Sequence, residues 1–457
     1  MLLTSLPNEL LIDIFARLCA RDITRLSLTS KQCHLLAMDR VLWNRIYTNS
    51  SLLRPPGPFP HQSSRDLAVA LLQSEELDVT WSLATSDSEY QSPPPAHRRV
   101  LAQHANTMAH LSLILGRWLL VGGEVDVQVY DLDAGALWYL PVGYISGPTN
   151  QIKATVYTSD DGVQSAFVVV YSVSDNFAQI YRTVLPQPGM SQQLSFQHVF
   201  KKHSEDWDTH KLDVGGDFLV LTSSIAGVTL RNIHTHQEYV VPEPQFTNDP
   251  NRRRLAKHSY QTVVTSTHII IVYARFLRPT WFEVIPFPDA SIPGSLVNPM
   301  LPVSHSGPGP EWLANTAMLS STPSSVTILT TRLLPLDAAV LIVELQLKED
   351  GLLNAVTLHR YGMADASSPY HMHILSGEGS EISARGVWFT PQLASRGMLC
   401  HALRVTPDLE AESGLRIEVG RHALTEHSST YSPYAFDGRR GRLAYTEDSE
   451  VVILDYV

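Results

Sequence analysis

The sequence predicts a mainly β protein that begins with a small α-helical domain. Three observations support this prediction. Apolar residues recur at helical spacing over residues 1–48, a proline-rich stretch follows, and from residue 98 onward short apolar runs alternate with turn-forming residues. The chain has 457 residues, which is enough for a small domain and one large β domain. With 44% apolar and 17% charged residues, its composition is that of a globular protein rather than a disordered, collagen-like or coiled-coil one.

The first 48 residues are predicted to form a domain of three short helices. Pro7 suits the first position of a helix, where no backbone N–H donor is needed, and the apolar residues of 10–18 then form one wide face. Asp22 is predicted to cap the second helix and Ser30 the third, which continues towards Val41-Leu42-Trp43. A bundle of this size has a core that contributes only a few kcal/mol, so we expect it to need a partner.

The spacing of residues 4–48 closely resembles that of the F-box family. The matching residues are Leu6-Pro7-Asn8-Glu9-Leu10-Leu11-Ile12-Asp13-Ile14-Phe15, Leu18, Arg21-Asp22-Ile23, Leu26 to Lys31, Leu36-Ala37 and Val41-Leu42-Trp43. One departure is Cys33, where the family usually has an aromatic residue. A helical cap on the following domain, with no partner of its own, is the alternative.

The resemblance implies that this domain binds a Skp-type adaptor and, through it, a cullin-RING ubiquitin ligase. The residues expected to bind the adaptor are Leu6, Pro7, Leu10, Leu11, Ile14, Leu28 and Trp43. Spacing alone does not decide which of them face the adaptor and which fill the core of the bundle.

Residues 49–97 are predicted to form a linker that contains a short helix. Prolines at positions 55, 56, 58 and 60 exclude a helix there, and Pro93-Pro94-Pro95 forms a second break. Proline runs can be ligands for partner domains, but a semi-rigid spacer is their commoner use. Between the two breaks, Leu67, Leu71 and Leu72 share one face of a helix.

Residues 98–457 are predicted to form a β-propeller. Residues 118–121, 125–130 and 137–140 read as three adjacent strands joined by tight turns, and similar patterns return at 215–230 and 441–456. Trp118 and Phe218 lie 100 residues apart, which fits two sheet repeats of about 50 residues each. We therefore expect about seven blades, with six as the alternative. Radial packing covers both faces of each sheet.

The last repeat appears one strand short. Up to residue 457 it offers three strands, at 434–436, 443–446 and 451–456. A segment within residues 78–103 is predicted to supply the fourth strand, because closing the ring removes an exposed sheet edge.

Charge, cysteine usage and apolar run length exclude several classes of protein. The net charge is −11, with six Lys and Arg against four Asp and Glu in residues 1–50, so the basic excess is confined to the helical domain. We expect no nucleic-acid partner, since phosphate contacts need clustered basic residues. The apolar runs are shorter than a membrane span, and the three cysteines are too few for a disulfide framework. These features predict a cytoplasmic or nuclear protein that binds no membrane.

The sequence contains none of the common catalytic, nucleotide-binding or metal-binding motifs, and we expect no cofactor. His234-Thr235-His236 and His371-Met372-His373 would each place two imidazoles on one face of a strand, but such pairs arise by chance among 19 histidines. Arg252-Arg253-Arg254 forms the sharpest basic cluster and is a speculative substrate contact, because guanidinium groups bind phosphate and carboxylate. A solvated loop without a role is the plainer interpretation.

Together these observations predict a non-catalytic substrate receptor of an SCF-type cullin-RING ubiquitin ligase. The F-box would bind the adaptor, and the propeller would recruit a protein substrate whose identity the sequence leaves open. Two alternatives are a propeller scaffold outside ubiquitination and a propeller-fold hydrolase.

Overall fold

The protein is seen here in a computed structural model. The structure describes residues 6–81, 95–101, 110–147, 149, 151–159, 161–172, 177–186, 193–203, 210–223, 227–241, 259–274, 279–288, 299–311, 313–334, 337–362, 372–376, 383–391, 398–408, 414–423, 434–447 and 450–457. Within these residues, no helix is both long and apolar enough to span a lipid bilayer.

Five helices precede the β domain in the described part of the chain. They are α1 (Asn8–Phe15), α2 (Ala20–Ser27), α3 (Lys31–Ala37), α4 (Arg40–Asn49) and α5 (Ser64–Trp81). The prediction of three helices before residue 49 was wrong, because the chain forms a separate fourth helix there. The Asp39 side chain accepts a hydrogen bond from the Val41 N–H at 2.8 Å, which starts α4.

The predicted helix caps were right in one case and wrong in the other. Ser30 caps α3 as expected, since its hydroxyl accepts from the Cys33 N–H at 3.1 Å. Asp22 does not cap α2, which begins two residues earlier, after Cys19. Asp22 instead lies in the first turn, where a negative charge still favours the helix dipole.

The described strands form seven four-stranded antiparallel sheets, the blades of a β-propeller. Blade 1 consists of β2 (His110–Ile114), β3 (Trp118–Gly122), β4 (Asp126–Asp131) and β5 (Pro141–Ser146); blade 2 of β6 (Gln151–Thr158), β7 (Gln164–Ser172), β8 (Phe177–Val184) and β9 (Gln197–His203); blade 3 of β10 (His210–Gly215), β11 (Phe218–Ser223), β12 (Gly227–Asn232) and β13 (Glu238–Val240). Blade 4 consists of β14 (Ser259–Val264), β15 (His268–Ala274), β16 (Pro279–Pro286) and β17 (His305–Glu311); blade 5 of β18 (Leu313–Ser321), β19 (Ser325–Leu334), β20 (Asp337–Leu347) and β21 (Leu353–Gly362); blade 6 of β22 (Met372–Ser376), β23 (Ala384–Pro391), β24 (Met398–Pro407) and β25 (Leu415–Ala423). Blade 7 consists of β26 (Tyr434–Asp437), β27 (Arg442–Glu447), β28 (Glu450–Asp455) and β1 (His97–Leu101).

Blade 7 closes the ring as the sequence predicted. β1 pairs with β28 in an antiparallel register that places His97 opposite Asp455 and Val100 opposite Val452. Arg99 of β1 ion-pairs with Asp455 at 2.6 Å and donates to the Leu132 carbonyl of blade 1 at 2.7 Å. Strand β1, which follows the helical domain in sequence, therefore links blade 7 to blade 1.

One predicted strand is absent. Residues 137–140 read as a strand, but the chain forms a 3₁₀ turn at Gly135–Leu137, and β5 starts only at Pro141. Leu137, Tyr139 and Leu140 are exposed, so this apolar run has no sheet face to cover it.

The cores of the propeller lie between neighbouring blades. Ile114 of β2 and Ile152 of β6 belong to one buried cluster, and Leu212 of β10 packs with Phe167 of blade 2 in the next. The first strands of consecutive blades contact one another around the whole ring, so they line its axis. The strand alternation thus decides which side chains face which neighbouring blade.

Candidate interaction surface

The core of the helical domain is formed by the inward faces of all five helices. Leu11, Phe15, Ile23 and Leu42 are fully buried, and Trp43 donates from its indole N–H to the Ala37 carbonyl at 2.6 Å. Leu11 and Trp43, both predicted to bind a partner, thus lie inside the bundle. Their role in this conformation is to hold α1 and α4 in place.

The other predicted partner residues lie at the surface. Leu28 is 83% exposed and Leu10 is 49% exposed, Ile14 and Pro7 are also exposed, and Leu6 is half-buried. These exposed apolar side chains are therefore candidates for contact with another protein.

Sequence reasoning missed three further apolar residues at the surface of the helices. Leu35, Met38 and Val41 are all exposed, whereas Leu36, Ala37 and Leu42 beside them are buried. The sequence did contain a signal for them, since apolar residues occur on more than one face of the helices in residues 35–42. A helix that packs against its own domain on one face needs a single apolar stripe.

Helix α5 completes the bundle, although it lies 27 residues beyond α3 in the chain. Leu67 and Leu71 join the core of the helical domain. Glu75 accepts hydrogen bonds from the first two N–H groups of α2, from Ala20 at 2.6 Å and from Arg21 at 3.1 Å. Its carboxylate replaces the missing side-chain cap of α2.

The last turn of α5 packs onto the propeller. Leu77 belongs to a core cluster of blades 6 and 7 and lies against Gly441, where a Cβ would come within 2.3 Å of it. Asp78 ion-pairs with Arg385 at 3.0 Å and with Arg404, both in blade 6. The side of the ring that carries these contacts, where the first strand of each blade turns into the second, is called the docking face below.

Arg385 is the deepest charge at this junction. Only 2% of its side chain is exposed, and it also donates to the Gly438 carbonyl at 2.9 Å. Burial lowers the pKa of Arg385, and the Asp78 carboxylate opposes that change. A single helix therefore belongs both to the helical bundle and to the propeller, which fixes the position of one relative to the other.

The first four helices of the helical domain match a known family model. Residues 3–49 match the F-box-like family model. This match coincides with α1 to α4 and leaves α5 outside it. The F-box-like region together with a seven-bladed propeller fits a substrate-receptor role and suggests a binding protein rather than a catalyst.

The propeller resembles solved structures in its fold only. No curated protein matches the chain. Among solved structures, the β-propeller domain of Vanderwaltozyma polyspora Nup133 is 10% identical with a TM-score of 0.45, and the match covers 81% of this chain and 99% of that one. Drosophila Semaphorin 1b, extracellular domains 1–2, is 7% identical with a TM-score of 0.42, and the match covers 79% of this chain and 88% of that one. At these values the comparisons carry no functional information.

Two of the remaining sequence-predicted sites fall wholly or partly outside the described residues. Arg252, Arg253 and Arg254 lie between β13 and β14, outside the described residues. His371 also lies outside them, and His373 is on β22.

The His234 and His236 pair does not have strand geometry. Both residues lie in the turn between β12 and β13, and His236 has a φ of 61°. The His234 ring instead contacts Asp217 at 3.2 Å and the Tyr157 hydroxyl at 3.4 Å. Across the described residues, no three His, Cys, Asp or Glu side chains are grouped as metal ligands would be.

Proposed function

We propose that this protein is the non-catalytic substrate receptor of an SCF-type cullin-RING ubiquitin ligase. The observation that carries the proposal is the unpartnered apolar surface of the F-box-like region. Leu10, Ile14 and Leu28 stay exposed there, although α5 already covers another side of the same bundle. A generic helical cap would have its apolar residues covered by the domain that it caps.

The Skp-type adaptor is the partner that this surface would bind. Leu6, Pro7, Leu10, Ile14 and Leu28 are its proposed contacts, while Leu11 and Trp43 keep the helices in the register that presents them. Burying an exposed leucine contributes about 1.5–3 kcal/mol. The basic excess of residues 1–50 would speed association with an acidic adaptor more than it would add affinity.

The propeller would hold the protein substrate. The junction at Leu77 and Asp78 supports this role, because it sets a fixed distance between the F-box-like region and any client on the ring. Arg252, Arg253 and Arg254 are proposed as a contact for an acidic segment of that client. The protein would act in the cytoplasm, the nucleus or both, where the ubiquitin system operates.

The adaptor surface is tested by co-purification of the full chain with a Skp-type adaptor. Leu10→Asp and Leu28→Asp each place a charge in the apolar contact, so we expect each to weaken capture by at least about tenfold. Leu137→Asp is the matched control, since Leu137 is also an exposed leucine but lies on the propeller. We expect it to bind as the unaltered chain does.

Equal capture of all four proteins would contradict the receptor proposal, as would no capture of the unaltered chain. The second result would favour a scaffold outside ubiquitination. With adaptor binding established, the receptor role predicts a client whose ubiquitination requires residues 98–457.

A further inference from the structure

The proline-rich loop between α4 and α5, residues 50–63, is attached to the helical domain by side chains of α4. The Tyr47 hydroxyl donates a hydrogen bond to the Pro55 carbonyl at 2.6 Å. Arg40 donates from Nη2 to the Phe59 carbonyl at 2.9 Å. This loop, called the linker loop below, therefore follows one path along the helical domain.

The first part of the linker loop contacts the propeller beside the end of α5. Leu53 is 2% exposed, and its carbonyl accepts a hydrogen bond from Arg385 of blade 6 at 3.4 Å. A Cβ at Gly438, in the turn between β26 and β27 of blade 7, would lie 3.4 Å from Leu53 Cδ2. This contact adds to those of Leu77 and Asp78 at the same junction.

The second part of the linker loop reaches blade 2. A Cβ at Gly162, in the turn between β6 and β7, would lie 3.4 Å from Phe59 Cδ1 and 3.5 Å from Pro60 Cδ. This turn joins the first two strands of its blade, so it belongs to the docking face. Blades 6 and 2 are three steps apart in a ring of seven and therefore lie nearly opposite each other. The helical domain is thus in contact with two separate sides of the ring.

The burial of the turns on the docking face agrees with this placement. Gly441 of blade 7 and Gly162 of blade 2 are buried, whereas Gly216 of blade 3, Ser266 of blade 4 and Pro323 of blade 5 are exposed. All five residues lie in the turn between the first and second strands of their blade. The helical domain therefore covers the docking face at blades 7 and 2 and leaves it open at blades 3 to 5.

We propose that the linker loop fixes the orientation of the F-box-like region on the ring, with Phe59 and Arg40 as its positioning residues. Contact at the end of α5 alone would let the region rotate about that helix, whereas a second contact at blade 2 prevents the rotation. Phe59 makes this contact, and Arg40 joins the loop to α4. In the proposed receptor, an adaptor and a client at blades 3 to 5 would then be held at one distance. The attachment itself does not depend on adaptor binding and stands whether or not the receptor proposal holds.

Pulsed electron paramagnetic resonance between two spin labels on the full chain tests this attachment. Lys31→Cys on α3 and Ser324→Cys in blade 5 carry the labels at exposed positions, and Cys19→Ser removes an exposed native thiol. We expect one narrow distance distribution when the linker loop is unaltered. Phe59→Asp and Arg40→Met should each widen it at least about twofold, because a released loop samples many conformations.

Val69→Asp and Arg65→Met are the matched controls, since they make the same chemical changes at exposed positions of α5 and should keep the distribution narrow. Circular dichroism shows whether each variant is folded. If Phe59→Asp is not, Arg40→Met alters an exposed side chain and gives the same comparison. Widening by either variant supports the attachment at the end of the loop that the variant alters. A broad distribution with the unaltered loop, or widths in both variants equal to those of the controls, would overturn the proposal.

Discussion

Glu75 caps a helix that lies more than 50 residues away from it in the chain. The N-terminus of α2 has no side-chain cap of its own, and its first two N–H groups instead bind the Glu75 carboxylate of α5. A carboxylate there also interacts favourably with the positive end of the helix dipole. The next residue, Glu76, is exposed to solvent and makes no such contact in the described structure.

We therefore expect Glu75→Ala to lower the free energy of unfolding by about 1–2 kcal/mol, as the loss of a strong helix cap does. Glu76→Ala is the matched control, one position along the same helix, and should change it by less than about 0.5 kcal/mol. Urea unfolding followed by circular dichroism measures both. Equal effects of the two substitutions would show that the carboxylate contributes only its charge.

For single residues, the sequence indicates hydrogen-bond partners that are close along the chain but not those that are distant. Ser30 could be recognised as a cap because the N–H that it binds lies three residues away. Glu75 could not, because 55 residues separate it from Ala20. The same limit applies to Leu11 and Trp43, since the spacing of apolar residues identifies a helix face but not which face another chain will cover.

Helix α5 is longer than the sequence pattern predicted. Its apolar face at Leu67, Leu71 and Leu72 predicted a short helix, but the structure extends it from Ser64 to Trp81. The additional length is explained by contacts far along the chain, at Gly441 and Arg385. From the sequence alone, a charged residue such as Asp78 is expected on the solvent-facing side of an amphipathic helix. Its ion-pair partners lie too far along the chain to be recognised.

The ion pair of Asp78 with Arg385 gives a test of this junction. Asp78→Asn leaves the Arg385 guanidinium buried without a counter-charge, so we expect it to lower the free energy of unfolding by about 3 kcal/mol. Arg404 is less affected, because it also pairs with Glu418 at 3.3 Å. Thermal unfolding of the full chain measures the change.

The double variant Asp78→Leu with Arg385→Met is the control for this prediction. Replacing both partners by apolar side chains removes the uncompensated charge, so most of the lost stability should return. If Asp78→Asn unfolds at the same temperature as the unaltered chain, the junction is looser than these contacts imply. The F-box-like region would then move relative to the propeller.

For the whole molecule, ring closure was predictable and the position of the helical domain was not. Closure followed from counting strands, since a last repeat of three strands leaves one exposed edge that a segment before the first blade can cover. The docking face could not be predicted in this way. It depends on Leu77 packing into the core between blades 6 and 7 and on Asp78 pairing with Arg385. No local sequence pattern indicates either contact.

Blade 7 is consequently held twice by the N-terminal part of the chain. The end of α5 packs against the turn between β26 and β27, and β1 then supplies the outer strand of the same blade. Val100 and Val452 lie directly opposite each other across the closing pair. Neighbouring antiparallel residues are about 4.5–5.5 Å apart at Cα, which a disulfide can span.

The paired substitution Val100→Cys with Val452→Cys should lock the ring. The loop that it closes contains almost the whole propeller, so we expect the oxidised form to gain about 2–4 kcal/mol of stability over the reduced form of the same variant. Comparing these two forms cancels any cost of the substitutions, and single-cysteine variants control for the native cysteines. Failure of the two cysteines to form the disulfide, or equal stability of the two forms, would contradict the pairing of β1 with β28.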